Sequence, residues 1–127
     1  MSEDRGGGLM QLLQDFKNDT GISASAIVSR DGLVMASNLP KTGFEEDTVA
    51  ANAARILFLG ESTGKELQKG ELRQVLLRYQ QGAVVLAGAG PYAAVMAVTT
   101  EEEKIESGAI LFAINILAKK VKKLLEG

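Results

Sequence analysis

Cysteine and histidine are both absent from the 127 residues of this chain. Their absence excludes disulfides, thiolate nucleophiles, the usual zinc site and the side chain best suited to proton transfer near neutrality. Much of ordinary enzymology goes with them. A large charge imbalance is also lacking, since fourteen basic and sixteen acidic residues give a net charge of -2. That leaves no global field to draw the chain onto nucleic acid or an anionic membrane. Long apolar runs are missing as well. The strongest, Gly108 to Ala118, carries Asn115 in its middle and falls far short of the ~20 residues a membrane span needs. The opening MSEDRGGG is acidic and glycine-rich, without the basic-then-apolar order of a secretory signal, so a cytoplasmic location is expected.

What is present suits one domain with one core, because domains cluster near ~100–150 residues. The 46% apolar and 24% charged fractions are those of an ordinary globular protein. Met1–Gly8 reads as a flexible arm, since three consecutive glycines carry a high ordering cost. Residues 9–127 read as the domain. Leu9, Leu12, Leu13 and Phe16 recur at helical spacing before Gly21, predicting a short amphipathic helix. Two apolar runs flank Arg30-Asp31-Gly32, and an Asp-Gly pair in that setting predicts a hairpin, with strands at about Ala24–Ser29 and Leu33–Ser37.

From Glu45 to about Leu67 there is no proline, much alanine and an acidic start, which together predict a long helix capped by Thr42 or Thr48. Val49, Ala53, Ile56, Leu57 and Gly60 form one apolar arc that should face a sheet. Ala51, Ala54, Phe58 and Leu59, interrupted by Arg55, form a second surface that one sheet cannot cover. Three further strand-like runs follow, LRQVLLRY, AVVLAGAG and YAAVMAVT. The last two are apolar on both faces, as central strands are. A second long helix is expected over Ile105–Leu125, with Leu111, Ile114, Leu117, Val121 and Leu125 toward the core. Ile105, Ala109, Phe112 and Ile116 lie opposite, which admits cover from a second side. The fold class is therefore α+β: α-β-β-α-β-β-β-α, a five-stranded antiparallel sheet with helices on both faces.

Motifs that carry chemistry are weak. GESTGKE at Gly60–Glu66 has the wrong spacing for a phosphate-binding loop, lacks the hydroxyl after Lys65 and follows a helix rather than a strand. Asp31 fits turn geometry better than catalysis. Glu101, Glu102 and Glu103 lack the spacing of a metal site. Lys119, Lys120, Lys122 and Lys123 read as a solvated helix end. No catalytic, cofactor-binding or metal-binding residue is assigned, and no cofactor is expected.

The segments GISASAIVSRDGLVMAS, DTVAANAARI and ELQKGELRQVLLRYQQGAVVLAGAG, in that order, resemble the Roadblock/dynein light chain family over about Leu9–Leu125. The resemblance implies one helix on one face of the sheet and two on the other, in a fold similar to longins and profilins. It also implies a dimer joined through the long central helix and an adjacent sheet edge, either with itself or with a paralogue. On that basis Ala51, Ala54, Arg55, Phe58 and Leu59 lie at the dimer or partner surface, with Val75 and Leu77 supporting the joined strands. Arg55 reads as an interface arginine rather than as a catalytic finger. Family members serve Ras-like small GTPases, as activators in bacterial MglB-type proteins or as scaffolds, and link cargo to dynein. The expected function is a homodimeric module that binds a Ras-like GTPase and modulates its nucleotide state, without catalytic residues of its own. The alternative is a scaffold that assembles a complex and changes no rate.

Overall fold

A computed structural model of the protein describes the backbone of residues 2–127 and side chains from Gly7 onward. The described elements are α1 (Ser2–Thr20), β1 (Ala24–Ser29), β2 (Val34–Asn38), α2 (Glu46–Glu66), β3 (Gln74–Tyr79), β4 (Gly82–Gly88), β5 (Ala93–Thr100) and α3 (Ser107–Glu126). The element order is the one expected. Met1, the head of the expected arm, lies outside the described residues. Helical backbone starts at Ser2 rather than near Leu9, although Leu9 is the first buried side chain.

The strands form one antiparallel sheet in the order β2-β1-β5-β4-β3. Its centre is β5, whose first five residues are all buried, in keeping with an apolar sequence on both faces. Only the long-range pairing of β1 with β5, from Ala24 opposite Val98 to Ser29 opposite Ala93, joins the first hairpin to the later three strands. Alternation along the strands then sorts side chains into two cores. On one face Ile27, Val85 and Val95 pack with Leu13 and Phe16 of α1 and Ile114 and Val121 of α3. On the other, Val28, Leu86 and Met96 meet Val49, Ala53 and Leu57 of α2. Burying each such large side chain stabilises the fold by about 1.5–3 kcal/mol before entropy is counted. The α2 face is built largely from alanines, Ala26, Ala94, Ala50 and Ala53, so one helix lies low on the sheet and leaves its outer side bare.

The Asp-Gly turn forms as expected. Ser29 N–H donates to the Leu33 carbonyl at 2.8 Å and Leu33 N–H to Ser29 Oγ at 2.9 Å. The register slips between Ile27, opposite Ala36, and Val28, opposite Val34. Met35 is therefore the extra residue of a β-bulge on the β2 edge.

Two local expectations are corrected. The residue that caps α2 is Glu45, with extended backbone and no side-chain cap bond. Thr42 precedes it in the loop, and Thr48 is already within the first turn. Glu46 and Asp47 stand in that turn, where negative charge offsets the positive end of the helix. The acidic loop is also more than a solvated one. Glu103 accepts backbone N–H bonds from Ser23 at 3.0 Å and Thr100 at 2.9 Å, tying the entry to β1 to the exit from β5.

Candidate functional site

Helix α2 has two apolar sides, as its sequence demands. Val49, Ala53 and Leu57 are buried against the sheet, with Ile56 and Gly60 half-buried at the margin. On the opposite side Phe58 is 76% exposed and Leu59 68% exposed. Ala51 and Arg55 are exposed beside them, and Ala54 is half-buried where Gly32 at the tip of the first hairpin packs next to it. Among the described residues Arg55 has no ion-pair partner within the chain. Phe58 and Leu59, exposed on adjacent positions of α2 with small residues and the Arg55 guanidinium alongside, form an apolar patch of the composition that protein interfaces favour.

Strand β3 lies at the sheet edge on the other side of this surface. Val75 packs into the α2-side core, and Leu77, half-buried, sits opposite Val84 of β4. Leu76 points to the other core, while Arg78 and Tyr79 are exposed. The outer backbone groups of β3 pair with no other strand among the described residues, so they are open to one from another chain. The structure thus brings Val75 and Leu77 to the same face of the sheet as α2. It leaves Phe58, Leu59, Arg55 and Ala51 facing outward.

A third feature escaped sequence reasoning. Arg30, next to the hairpin turn, donates from Nε and one η nitrogen to the Gly90 carbonyl at 3.1 and 2.9 Å. Its other η nitrogen pairs with the Glu61 carboxylate of α2. One side chain therefore ties the β1–β2 turn, the β4–β5 turn and α2 together, beside a cleft of about 820 Å³ that Lys65 and Lys122 also line. No local pattern signals this, because its partners are 31 and 60 residues away. The pair is partly exposed, so Glu61→Ala should cost less than about 1 kcal/mol. Arg30→Ala also strands the Gly90 carbonyl and should cost about 1–2 kcal/mol. Urea unfolding of the two variants checks this, and equal losses would show that the carbonyl contact contributes nothing.

GESTGKE does not form a phosphate loop. Gly60–Glu66 are the last turns of α2, so their N–H groups are used within the helix. No three acidic side chains converge on a metal-sized site among the described residues, and no helix there is long and apolar enough to cross a membrane.

The molecule is an antiparallel sheet with α1 and α3 on one face and, on the other, the single helix α2 with an apolar outer side. Comparison with known proteins places this architecture in a family. The Roadblock/LC7 domain matches residues 9–100, and the chain belongs to that family. It is 29% identical over 114 residues to the uncharacterized protein MJ1340 of Methanocaldococcus jannaschii, covering 90% of this chain and 96% of that protein. Its fold is similar to the gliding protein MglB of Thermus thermophilus, with a TM-score of 0.84 at 16% identity over 96% of this chain and 91% of the other. A Roadblock/LC7 domain from Streptomyces avermitilis gives a TM-score of 0.81 at 21% identity over 93% and 98% of the two chains.

Proposed function

We propose that this chain is a homodimeric regulatory module of the cytoplasm that binds a Ras-like small GTPase and modulates its nucleotide state. The observation that carries the reading is the exposure of Phe58 and Leu59 on α2, 76% and 68%, on the face of the sheet to which the edge strand β3 contributes Val75. Two chains related by a two-fold axis would cover these side chains with each other and join their β3 edges into one continuous sheet. Ala51 and Ala54 allow close approach of the helices, and Arg55 stands where a carboxylate or a phosphate-bearing partner could meet it. Val75 and Leu77 fill the layer beneath the junction. The pair of helices then forms a platform for the GTPase. Such a module needs no catalytic group, because holding the partner's own switch segments in their reactive arrangement shifts a population that already exists.

The test is the solution mass of the wild type and of Phe58→Glu, followed by hydrolysis assays. A glutamate forced into an apolar interface is costly. The variant should therefore associate about 30-fold or more weakly through α2 while remaining folded. A wild-type chain that stays monomeric at all concentrations overturns the homodimer. A dimer that changes the hydrolysis rate of a cognate GTPase supports the regulator. Binding with no change in rate supports the scaffold instead.

A further inference from the structure

The chain as a whole has no excess of positive charge, but its charge is unevenly spread. Four of the fourteen basic residues, Lys119, Lys120, Lys122 and Lys123, lie in one short stretch of α3, and the rest of the chain sets ten basic residues against sixteen acidic ones. All four lysines are exposed. The one carboxylate on α3 is Glu126, which stands beside Lys122 at 3.9 Å. Lys119, Lys120 and Lys123 have no ion-pair partner among the described residues. The helix dipole does not account for the cluster, because its influence fades beyond the last turn and only Lys123 stands in that turn.

Helical spacing puts these lysines in line with exposed apolar side chains. At about 100° per residue, Phe112, Lys119 and Lys123 share the outward side of α3, opposite the buried Ile114 and Val121, with Ile116 and Lys120 on one flank. Phe112 is 68% exposed and Ile116 37%. Helix α1 runs alongside in the opposite direction, with Gly8 against Leu124. Its Asp15 and Asp19 border the hollow that Phe112, Ile116 and Lys120 also line, so its carboxylates stand toward the Phe112 end of the stripe. The stretch beside the lysine end, Leu9–Gln14, carries no charged residue.

Three unpaired ammonium groups and two exposed apolar side chains on one outward stripe of a helix suit a surface that is anionic outside and apolar just beneath. Discrete phosphates, as on nucleic acid, favour the forked guanidinium of arginine, and α3 has none. An acidic protein would be met by the lysines and would leave Phe112 and Ile116 without a role. We propose that this side of α3 docks on an anionic lipid surface, with Lys119, Lys120 and Lys123 among the headgroups and Phe112 and Ile116 reaching the acyl boundary. It lies across the sheet from α2, so it stands or falls apart from the α2 dimer.

Co-sedimentation of the full chain with vesicles of phosphatidylcholine alone, and of phosphatidylcholine and phosphatidylglycerol in equal parts, tests this. The anionic vesicles should bind at least about 100-fold more tightly than the neutral ones. Replacing the three lysines together, Lys119→Gln, Lys120→Gln and Lys123→Gln, should weaken that binding about 100-fold, at about fivefold for each lysine. Phe112→Ala should weaken it about tenfold. All four side chains are exposed, so unchanged circular dichroism is expected of both variants. A DNA duplex and polyglutamate serve as polyanions without an apolar layer, and Phe112→Ala should not alter the binding of either. Equal binding to the two vesicles, or to neither, overturns the proposal. So does anionic binding that survives loss of the three lysines. A duplex or polyglutamate bound as tightly as the anionic vesicles, with Phe112 making no difference, overturns it in favour of a general polyanion surface.

Discussion

Replacing Gly82 by alanine is expected to lower the stability of the fold by about 2–5 kcal/mol, a large share of the ~5–15 kcal/mol typical of a single domain. Gly82 opens β4 with φ at +128°, a backbone region that residues with a Cβ avoid. A methyl group there would also stand 2.0 Å from the Thr99 carbonyl oxygen. That obstacle is backbone of the central strand, which cannot rotate away as a side chain would. The β3–β4 turn must then open or the β4–β5 ladder must shift, and either change disturbs the edge on which the proposed dimer depends. Thermal and urea unfolding of Gly82→Ala measure the effect. A loss below about 1 kcal/mol would show that the turn relaxes freely and that the close approach is not a constraint.

The second large effect separates two neighbours on α3. Ile114 is fully buried, at 0% exposure, whereas Phe112 is 68% exposed. Ile114→Ala should cost about 2–5 kcal/mol, through lost transfer free energy and the cavity left between α3 and the sheet. Phe112→Ala, although it removes more atoms, should change the stability of the dilute chain by no more than about 0.5 kcal/mol. Urea midpoints at low protein concentration give the comparison. Similar losses for the two variants would mean that Phe112 packs within its own chain.

Much of this architecture was legible from local pattern. The Asp-Gly pair announced the first hairpin, and Glu46 and Asp47 marked the start of α2. The two-sided apolar character of Ala83–Ala89 and Ala93–Val98 identified inner strands. The bare side of α2 could be read because its positions repeat at the helical period, which tells one face from another without knowledge of what lies beneath. What stayed hidden depends on distance in the sequence. Nothing near Ala24–Ser29 reveals that it pairs with Ala93–Val98 rather than with β3, since strand order is set by which edges remain after collapse. Arg30 looked like a turn residue because Glu61 and Gly90 are remote in sequence. Glu103 looked like one of three solvated carboxylates, and only its backbone partners Ser23 and Thr100 set it apart. The capping threonines were misread for a related reason. A plausible hydroxyl near a helix start is common, and loop geometry alone decides whether it reaches an N–H.

The bulge at Met35 bears on how far such a sheet can extend. Its two outer strands differ: β3 runs in unbroken register with its neighbour, whereas β2 carries an unmatched residue midway. A regular edge accepts another strand; a kinked one with a misplaced side chain is a poor template. Chains that join through β3 would therefore present only interrupted margins at both outer ends, and strand addition would stop there. The irregularity would limit growth, so that the proposed edge-to-edge pairing would end in a closed pair rather than a fibre.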